Sequence, residues 1–127
     1  MRMWMVDPSI MCQKHLCGEH VETHMMLGSM KKGYGIDGYI KNNCLEPRSI
    51  KSRHDELVIE MLRRGYNHES PMAELVFNET VKNYEKYREC TIDVGKSMSD
   101  LLGRCTKCLH NMQQKEEEKY AINNKEI

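Results

Sequence analysis

The sequence predicts an all-α fold, a compact helical bundle built as a single domain over residues 1–127. Apolar residues recur every three or four positions in several segments, which is the spacing of one helix face. Val and Ile never alternate along a long run, so no strand is predicted. With 11 Met but only one Phe and one Trp, the core should be aliphatic and rich in thioethers. A chain of this length can bury one such core.

The first predicted helix begins near residue 8 and ends at about Gly28. Asp7 is a favourable N-cap residue, and Pro8 suits the first helical position. Residues 1–6 then form a short arm, which we expect to lie against this helix. Four glycines within residues 28–43 indicate an irregular loop after the helix.

A second helix is predicted from Pro47 or Ser49 to Gly65, because apolar residues keep helical spacing between these ends. His54 continues the apolar stripe, and we expect it to be a core residue. The opposite face carries charged residues that should pair with one another and face solvent. These residues are Arg53, Glu56, Glu60 and Arg64.

Two more helices are predicted in the C-terminal half. A Ser-Pro pair opens a helix over residues 71–87, whose continuity near Asn78 is left open. A further helix should run through residues 94–112 as one element, since its apolar residues keep mixed three and four spacing. Residues 115–127 are polar and are expected to fray.

Candidate catalytic groups lie on the first predicted helix. His15, Glu19 and Glu22 fall within an arc of about 60°, so two carboxylates and an imidazole share one face. Glu22 has no cation three or four positions away, although a surface glutamate on a helix usually has one. A carboxylate without such a partner is a candidate for chemistry. Glu22 could equally point to solvent, and His15 with Glu19 could be an ordinary helix pair.

A second pair of histidines lies on another side of the same helix. His20 and His24 have the i,i+4 spacing of two metal ligands, but they point roughly 120° to 180° away from His15. The motif is not H-E-x-x-H, which argues against a zinc hydrolase. We expect the two imidazoles to lie in a groove, where they hydrogen-bond or contact phosphate.

The six cysteines are predicted to be free thiols, because the chain is expected to work in the cytoplasm. They are Cys12, Cys17, Cys44, Cys90, Cys105 and Cys108. Cys105 and Cys108 with His110 form half of a zinc site at best, since no second Cys-x-x-Cys pair completes it. We therefore expect neither a metal nor a cofactor.

The formal net charge is zero, from 19 basic and 19 acidic side chains. This balance argues against a protein that binds nucleic acid through bulk positive charge, although local basic clusters could still contact a few phosphates. No apolar run is long enough for a membrane span, and the first residues lack the apolar core of a signal peptide. A monomeric cytoplasmic protein with no membrane contact is expected.

Two segments carry a resemblance to a known family. HLCGEHVETH, followed downstream by SRHDELVIEMLRRGYNHESP, resembles the pyrimidine-dimer DNA glycosylases, whose prototype is a phage endonuclease V. The resemblance covers roughly residues 1–72. It implies a compact helical bundle that excises a base from double-stranded DNA and then acts as an abasic-site lyase, without a metal.

The resemblance also implies roles for particular residues. The amine of Met1 would attack the anomeric carbon of the sugar and form a Schiff base, and Glu22 would assist. In peptides, roughly a tenth of an α-amine is uncharged at pH 7, enough for a nucleophile. Candidate DNA-binding residues, some matched by the family and others chosen from the pattern of the chain, are Arg2, His15, Glu19, His20, His24, Arg53 and Arg64.

The chain also departs from the family's prototype. Val21 and Met25 stand where the prototype has arginines, and the tail offers only Tyr120 in place of an aromatic-rich segment. A pyrimidine dimer, another damaged or modified base, and a bare abasic site therefore all remain possible targets. Two other interpretations stay open: a non-catalytic DNA-binding module of the same fold, and a metal-binding helical protein that uses His20, His24 and the cysteines.

Overall fold

The computed structural model describes residues 1–125, and within that range it contains helices and no strand, which confirms the predicted all-α fold. Three 3-10 turns accompany the helices, at Pro8–Ile10, Pro47–Ser49 and Lys82–Tyr87. No described helix is both long and apolar enough to cross a membrane. The α-helices of the described range are α1 Gln13–Lys31, α2 Asp37–Lys41, α3 Ile50–Arg63, α4 Glu74–Val81, α5 Val94–Arg104 and α6 Thr106–Lys125.

The start of the first helix differs from the prediction. Asp7 does cap a helical segment, since its Oδ1 accepts a hydrogen bond from the Ser9 amide at 2.9 Å, but that segment is only a 3-10 turn. The backbone is extended at Met11 and Cys12, and α1 begins one residue later. Cap and proline signals mark the start of any helical turn, and they carry no information about its length. Cys12 consequently becomes the N-cap residue of α1.

Several other boundaries are corrected by the structure. The first helix extends to Lys31 and is closed by Gly33 at φ 81°, and α2 lies within the predicted loop. The third predicted helix starts at Glu74, passes through Asn78 without a break, and then tightens into a 3-10 turn. The prediction for α3 is confirmed, with Gly65 in the left-handed region at its end.

The predicted helix over residues 94–112 is two helices. Cys105 has extended backbone angles, φ −126° and ψ 107°, which separate α5 from α6. Helical spacing continues across this break because both helices bury their apolar faces in the same core. The chain is also helical to Lys125, and the fraying expected of residues 115–127 stays a prediction. Residues 126 and 127 lie outside the described residues.

The N-terminal arm is a core element of the bundle. Met3, Trp4 and Val6 are almost fully buried, and they contribute to two hydrophobic clusters rather than one. Met3 joins a cluster formed mainly by the end of α1, α2, α4 and the segments beside them. Trp4 and Val6 join a second cluster with α3, α5 and α6. The arm therefore lies against α1, as predicted, and it also separates the two halves of the core.

Candidate active site

The arm brings the start of the chain to Glu22. The Arg2 amide donates a hydrogen bond to Glu22 Oε2 at 3.1 Å. Successive residues of a chain lie about 3.8 Å apart, so the Met1 amine is within roughly 7 Å of that carboxylate. Among the described residues Glu22 takes part in no ion pair, and Met1 is 39% exposed. The amine and the carboxylate are therefore neighbours, and the amine remains accessible from solvent.

Hydrogen bonds fix the path of the arm. The Met3 amide donates to the Cys44 carbonyl at 2.7 Å, and Ser97 Oγ donates to the Trp4 carbonyl at 2.6 Å. Met5 is a non-glycine residue in the left-handed region, with φ 58°, and its amide faces Glu19 Oε2 at 3.5 Å. A conformation this uncommon persists only where surrounding contacts impose it. The position of the amine is consequently set by the core.

The side chain of Arg2 points inward, contrary to its expected role in contacting phosphate. Its guanidinium stacks over the Trp4 ring at 3.9 Å, donates to Ser97 Oγ at 3.1 Å and pairs with Asp100 at 3.7 Å. Only 11% of this side chain is exposed. Stacking and internal hydrogen bonds hold the guanidinium in place, so Arg2 acts in the folded chain as an anchor for the arm.

Glu19 and Arg53 form a buried ion pair between α1 and α3. Arg53 Nε donates to Glu19 Oε2 at 2.6 Å, and Nη2 donates to Oε1 at 2.9 Å, so the pair is bidentate. Arg53 also donates to the Val6 carbonyl at 2.7 Å and pairs with Glu56. The side chains of Glu19 and Arg53 are 0% and 1% exposed. The prediction that Arg53 faces solvent is thus wrong, because its guanidinium is buried against Glu19. A DNA contact by these two residues stays a prediction, and in the folded chain each uses its charge on the other.

Arg64 is also engaged within the chain. Its Nη2 donates to the carbonyls of Met11 at 2.7 Å and Pro8 at 3.1 Å, and its Nε pairs with Glu60 at 2.7 Å. The pairing of charges predicted for this face of α3 is therefore present. Glu60, however, is buried, and the pKa of its carboxyl is lowered by hydrogen bonds from Arg63 and Arg64 despite burial. Arg64 fixes the turn before α1, and only 17% of its side chain is exposed.

His15 connects the arm to the far end of the chain. Its ring meets Trp4 edge to face, with centroids 5.8 Å apart, and its Nδ1 lies 3.2 Å from Cys12 Sγ. Burial and the charge of Lys14 lower the pKa of His15, while the negative charge of Glu22 opposes them. The shared face predicted for His15, Glu19 and Glu22 is therefore present in the folded chain.

The predicted histidine pair belongs to a group of four imidazoles. His20 and His24 of α1 meet His54 and His68, with ring centroids 4.7 to 5.4 Å apart. The Nε2 atoms of His24, His54 and His68 all lie within 3.0 Å of the Ser70 carbonyl. As predicted, His54 is a buried residue.

His20 is buried in the middle of this histidine group, and a contact between its ring and phosphate stays a prediction. Its Nε2 has no hydrogen-bond partner among the residues that the structure describes. Burial, and then the charges of His54, His24 and His68, lower the pKa of His20 to about 4. Ring nitrogens of His20, His54 and His68 lie within 4.8 Å of one another, which is close enough for a metal. Those of His54 and His68 already face the Ser70 carbonyl, which only a protonated nitrogen can satisfy.

Sequence reasoning missed three exposed cations near the arm. Lys14, Arg104 and Lys107 line an open cleft of about 640 Å³, together with His15. The Arg104 guanidinium lies 5.9 Å from the centre of the Trp4 ring. Lys14 and Lys107 are far apart in the sequence, and only the packing of α6 beside the start of α1 brings them together. A periodic pattern within one helix could not have revealed them.

Two further groups were expected to matter for metals. All six cysteines are free thiols, as predicted. Three of them converge with His15, since the ligand atoms of Cys12, His15, Cys105 and Cys108 all lie within 4.8 Å of one another. His110, which the sequence suggested as a companion of Cys105 and Cys108, is not in this group.

Comparison with known proteins gives one family. The family model described as pyrimidine dimer DNA glycosylase matches residues 1–74. This range contains the arm, α1 and α3, and it ends where α4 begins. No curated protein and no solved structure matches the chain.

Proposed function

The chain belongs to the pyrimidine dimer DNA glycosylase family, and on this premise we propose that it excises a damaged base through its own N-terminal amine. The family match implies a DNA glycosylase, with DNA that contains damaged pyrimidines as the substrate. We propose in addition that the Met1 amine forms a Schiff base with the sugar, that Glu22 assists, and that the strand is then cleaved at the abasic site.

One observation carries this proposal: the Arg2 amide donates to Glu22 Oε2 at 3.1 Å. An amine one residue away from that contact lies beside the carboxylate without forming an ion pair with it. An amine locked in an ion pair would be protonated and could not attack carbon. The space between the two groups is where the anomeric carbon of an extruded nucleotide would bind.

The chemistry then proceeds through an imine. The lone pair of the amine forms a bond to C1′ while the C1′–N glycosidic bond breaks. The base leaves with the electron pair of the broken bond and takes up a proton. Opening of the sugar ring gives the protonated imine. Removal of a proton from C2′ then expels the 3′ phosphate by β-elimination, and water releases the amine. Glu22 would transfer the protons and stabilise the cationic intermediate.

The surroundings of Glu22 favour an extruded nucleotide. Val21 and Met25 flank it on α1 and are 52% and 53% exposed. Exposed apolar side chains beside a DNA-binding site can insert between base steps or pack against unstacked bases. Phosphates near this point would instead meet Lys14, Arg104 and Lys107, the cations of the adjacent cleft.

Borohydride trapping tests the proposal directly. The test uses protein that begins with a free amine at Met1. Protein tagged after residue 127 and incubated with abasic-site DNA should give a covalent adduct that maps to Met1. The same chain with a tag fused ahead of Met1 should give none. Equal trapping by the blocked protein would assign the nucleophile to a lysine and overturn the proposal.

A non-catalytic DNA-binding module is the second candidate. The inward orientation of Arg2 and Arg53 favours it over the glycosylase, because both arginines pair within the fold and neither is free to act on an extruded nucleotide. A panel of duplexes carrying a cyclobutane dimer, an oxidised pyrimidine or an abasic site separates the two candidates. Cleavage of the dimer or of the oxidised pyrimidine supports the glycosylase and identifies the base removed, whereas cleavage of the abasic site alone supports only the lyase step. Binding without cleavage or trapping supports the module.

A further inference from the structure

We propose that Cys12, His15, Cys105 and Cys108 bind one Zn²⁺ ion as a structural site of the Cys₃His type. The four side chains come from two places that are about 90 residues apart in the sequence, the start of α1 and the break between α5 and α6. Their ligand atoms all lie within 4.8 Å of one another. This proposal revises the expectation of a half-site, because the missing half comes from α1.

The distances match a tetrahedral zinc site. Zinc holds thiolate sulfur at about 2.3 Å and imidazole nitrogen at about 2.0 Å, so the edges of the tetrahedron measure roughly 3.5 to 3.8 Å. Cys12 Sγ and Cys105 Sγ are 3.8 Å apart. His15 Nδ1 lies 3.2 Å from Cys12 Sγ and 3.8 Å from Cys108 Sγ. The other three pairs of ligand atoms lie within 4.8 Å of one another, so movements of up to about an ångström would seat the ion.

Backbone amides already support the sulfurs as ligands. The Cys12 amide donates to Cys108 Sγ at 3.2 Å, and the Cys108 amide donates to Cys105 Sγ at 3.4 Å. Such bonds stabilise thiolates and orient them toward a metal. Cys105 also lies directly before the N-terminus of α6, where the helix dipole favours a negative charge.

The charge and burial of the site fit a closed structural ion. Three thiolates and a neutral imidazole around Zn²⁺ leave one net negative charge, which Lys14, Arg104 and Lys107 of the neighbouring cleft offset. Cys108 is fully buried and Cys12 is 8% exposed. With all four positions supplied by protein there is no open position for substrate, as in structural rather than catalytic zinc sites.

The site would link the chemistry to the part of the chain outside the family match. Cys12 and His15 lie within residues 1–74, whereas Cys105 and Cys108 lie beyond them. His15 contacts Trp4, and Trp4 stacks on Arg2, so a zinc ion on His15 would stiffen the support of the catalytic arm. A failure of the zinc proposal would not affect the glycosylase proposal, because metal content is measured without any DNA.

Metal content is the primary test. Full-length protein tagged after residue 127 is expressed with zinc in the medium, purified without chelators and analysed by mass spectrometry of the elements. About one zinc per chain is expected. The Cys108→Ser and Cys12→Ser variants should retain less than about a tenth as much, whereas the matched control Cys90→Ser should equal the wild type. His15→Cys, which keeps four zinc ligands, should also retain the ion.

Cobalt provides a readout that does not depend on the variants folding. Wild-type protein in which Co²⁺ replaces zinc should show thiolate-to-cobalt charge transfer and the intense ligand-field bands of a tetrahedral site. Three results would each overturn the proposal. They are wild-type protein that stays metal-free after refolding with excess zinc, equal zinc in wild type and Cys108→Ser, and a Cys12–Cys105 disulfide in place of the metal.

Discussion

Glu19 and Glu22 lie one turn apart on the same face of α1, but Glu19 is 1% exposed and held by Arg53, whereas Glu22 is half-buried and has no ion-pair partner among the described residues. A buried carboxylate must be paired to remain charged, and the pair then serves the fold. Glu22, at the edge of the core, instead contacts solvent and accepts a hydrogen bond from one backbone amide. Glu19 thus has a structural role, whereas Glu22, one turn later, has no partner that occupies its carboxylate among the described residues.

On the other side of α1, the polar side chain of His20 is buried without an ion pair to any described residue. His20 is 6% exposed, and within residues 1–125 it has no ion-pair partner but lies against three further imidazoles. A histidine can be buried as a neutral ring, which a glutamate at neutral pH cannot do at similar cost. The carboxylate side of α1 therefore uses an ion pair to bury a polar group, whereas on the histidine side burial lowers the pKa of His20 and favours its neutral ring.

Removing the charge of Glu22 should have the largest effect, and that effect is on activity. Glu22→Gln is expected to lower the rate of base excision roughly thousandfold, or ~4 kcal/mol in the barrier, because the shape is kept and only the ionisable group is lost. Strand cleavage of lesion-containing duplex, with the thermal midpoint as a check of the fold, measures this. Glu79→Gln, at an exposed position on α4, serves as the control. Activity of Glu22→Gln within about tenfold of wild type would contradict the catalytic assignment.

Breaking the buried ion pair between Glu19 and Arg53 should lower stability instead. Arg53→Met leaves Glu19 buried and unpaired, so we expect the free energy of unfolding to fall by about 3–4 kcal/mol. The double variant Glu19→Leu/Arg53→Met should be more stable than either single variant, since neither charge of this pair is then left buried without its partner. Urea denaturation of the four proteins gives the coupling energy.

The control for this cycle is the more exposed pair between Lys51 and Asp55 on α3. Lys51→Met should change the free energy of unfolding by less than about 1 kcal/mol, because a solvated pair on a helix contributes little. A loss for Arg53→Met no larger than the loss for Lys51→Met would mean that the buried pair has no special structural role.

The histidine group should make the stability of the fold depend on pH. The folded pKa of His20 is about 4, below the ordinary value of 6.5 that applies in the unfolded chain. Between these values the unfolded state binds the additional proton, so the free energy of unfolding falls as the pH is lowered from about 6.5 toward about 4. We expect a loss of ~2 kcal/mol from His20, measured by denaturation across this range.

A substitution can isolate the contribution of His20. His20→Gln removes its titration and should flatten the pH dependence, whereas His110→Gln, at an exposed position on α6, should leave the dependence unchanged. An equally steep acid response in the His20→Gln protein would assign the response to the carboxylates.

The smallest expected effect concerns Lys14, Arg104 and Lys107, the exposed cations of the cleft beside the arm. Arg2 and Arg53 are occupied internally, so the salt dependence of DNA binding should correspond to about three to five phosphate contacts. Lys107→Gln should lower the slope of log K against log salt by about one, and Lys86→Gln, outside the cleft, should not change it. Titrations by fluorescence anisotropy at several salt concentrations measure both. A wild-type slope that indicates eight or more contacts would show that the inward arginines are released on binding.

Much of the candidate site could be predicted from spacing and motif alone. The shared face of His15, Glu19 and Glu22 follows from helical periodicity, and the structure reproduces it with the arm alongside. The orientation of Arg2 and Arg53 could not be predicted in the same way. An arginine on a helix face is solvated by default, and its burial depends on whether a carboxylate from another element meets it.

The sequence by itself determined the all-α fold, the course of α3 and the carboxylate face of α1, because each depends on residues three or four positions apart. Only the tertiary structure decided which charges face inward, where the Met1 amine lies and how the thiols meet. Cys12 and Cys108 are 96 residues apart, and their contact depends on the break at Cys105 and on the packing of α6. Local spacing specifies neighbours within a helix, whereas contacts between distant helices are set by how their buried faces fit together.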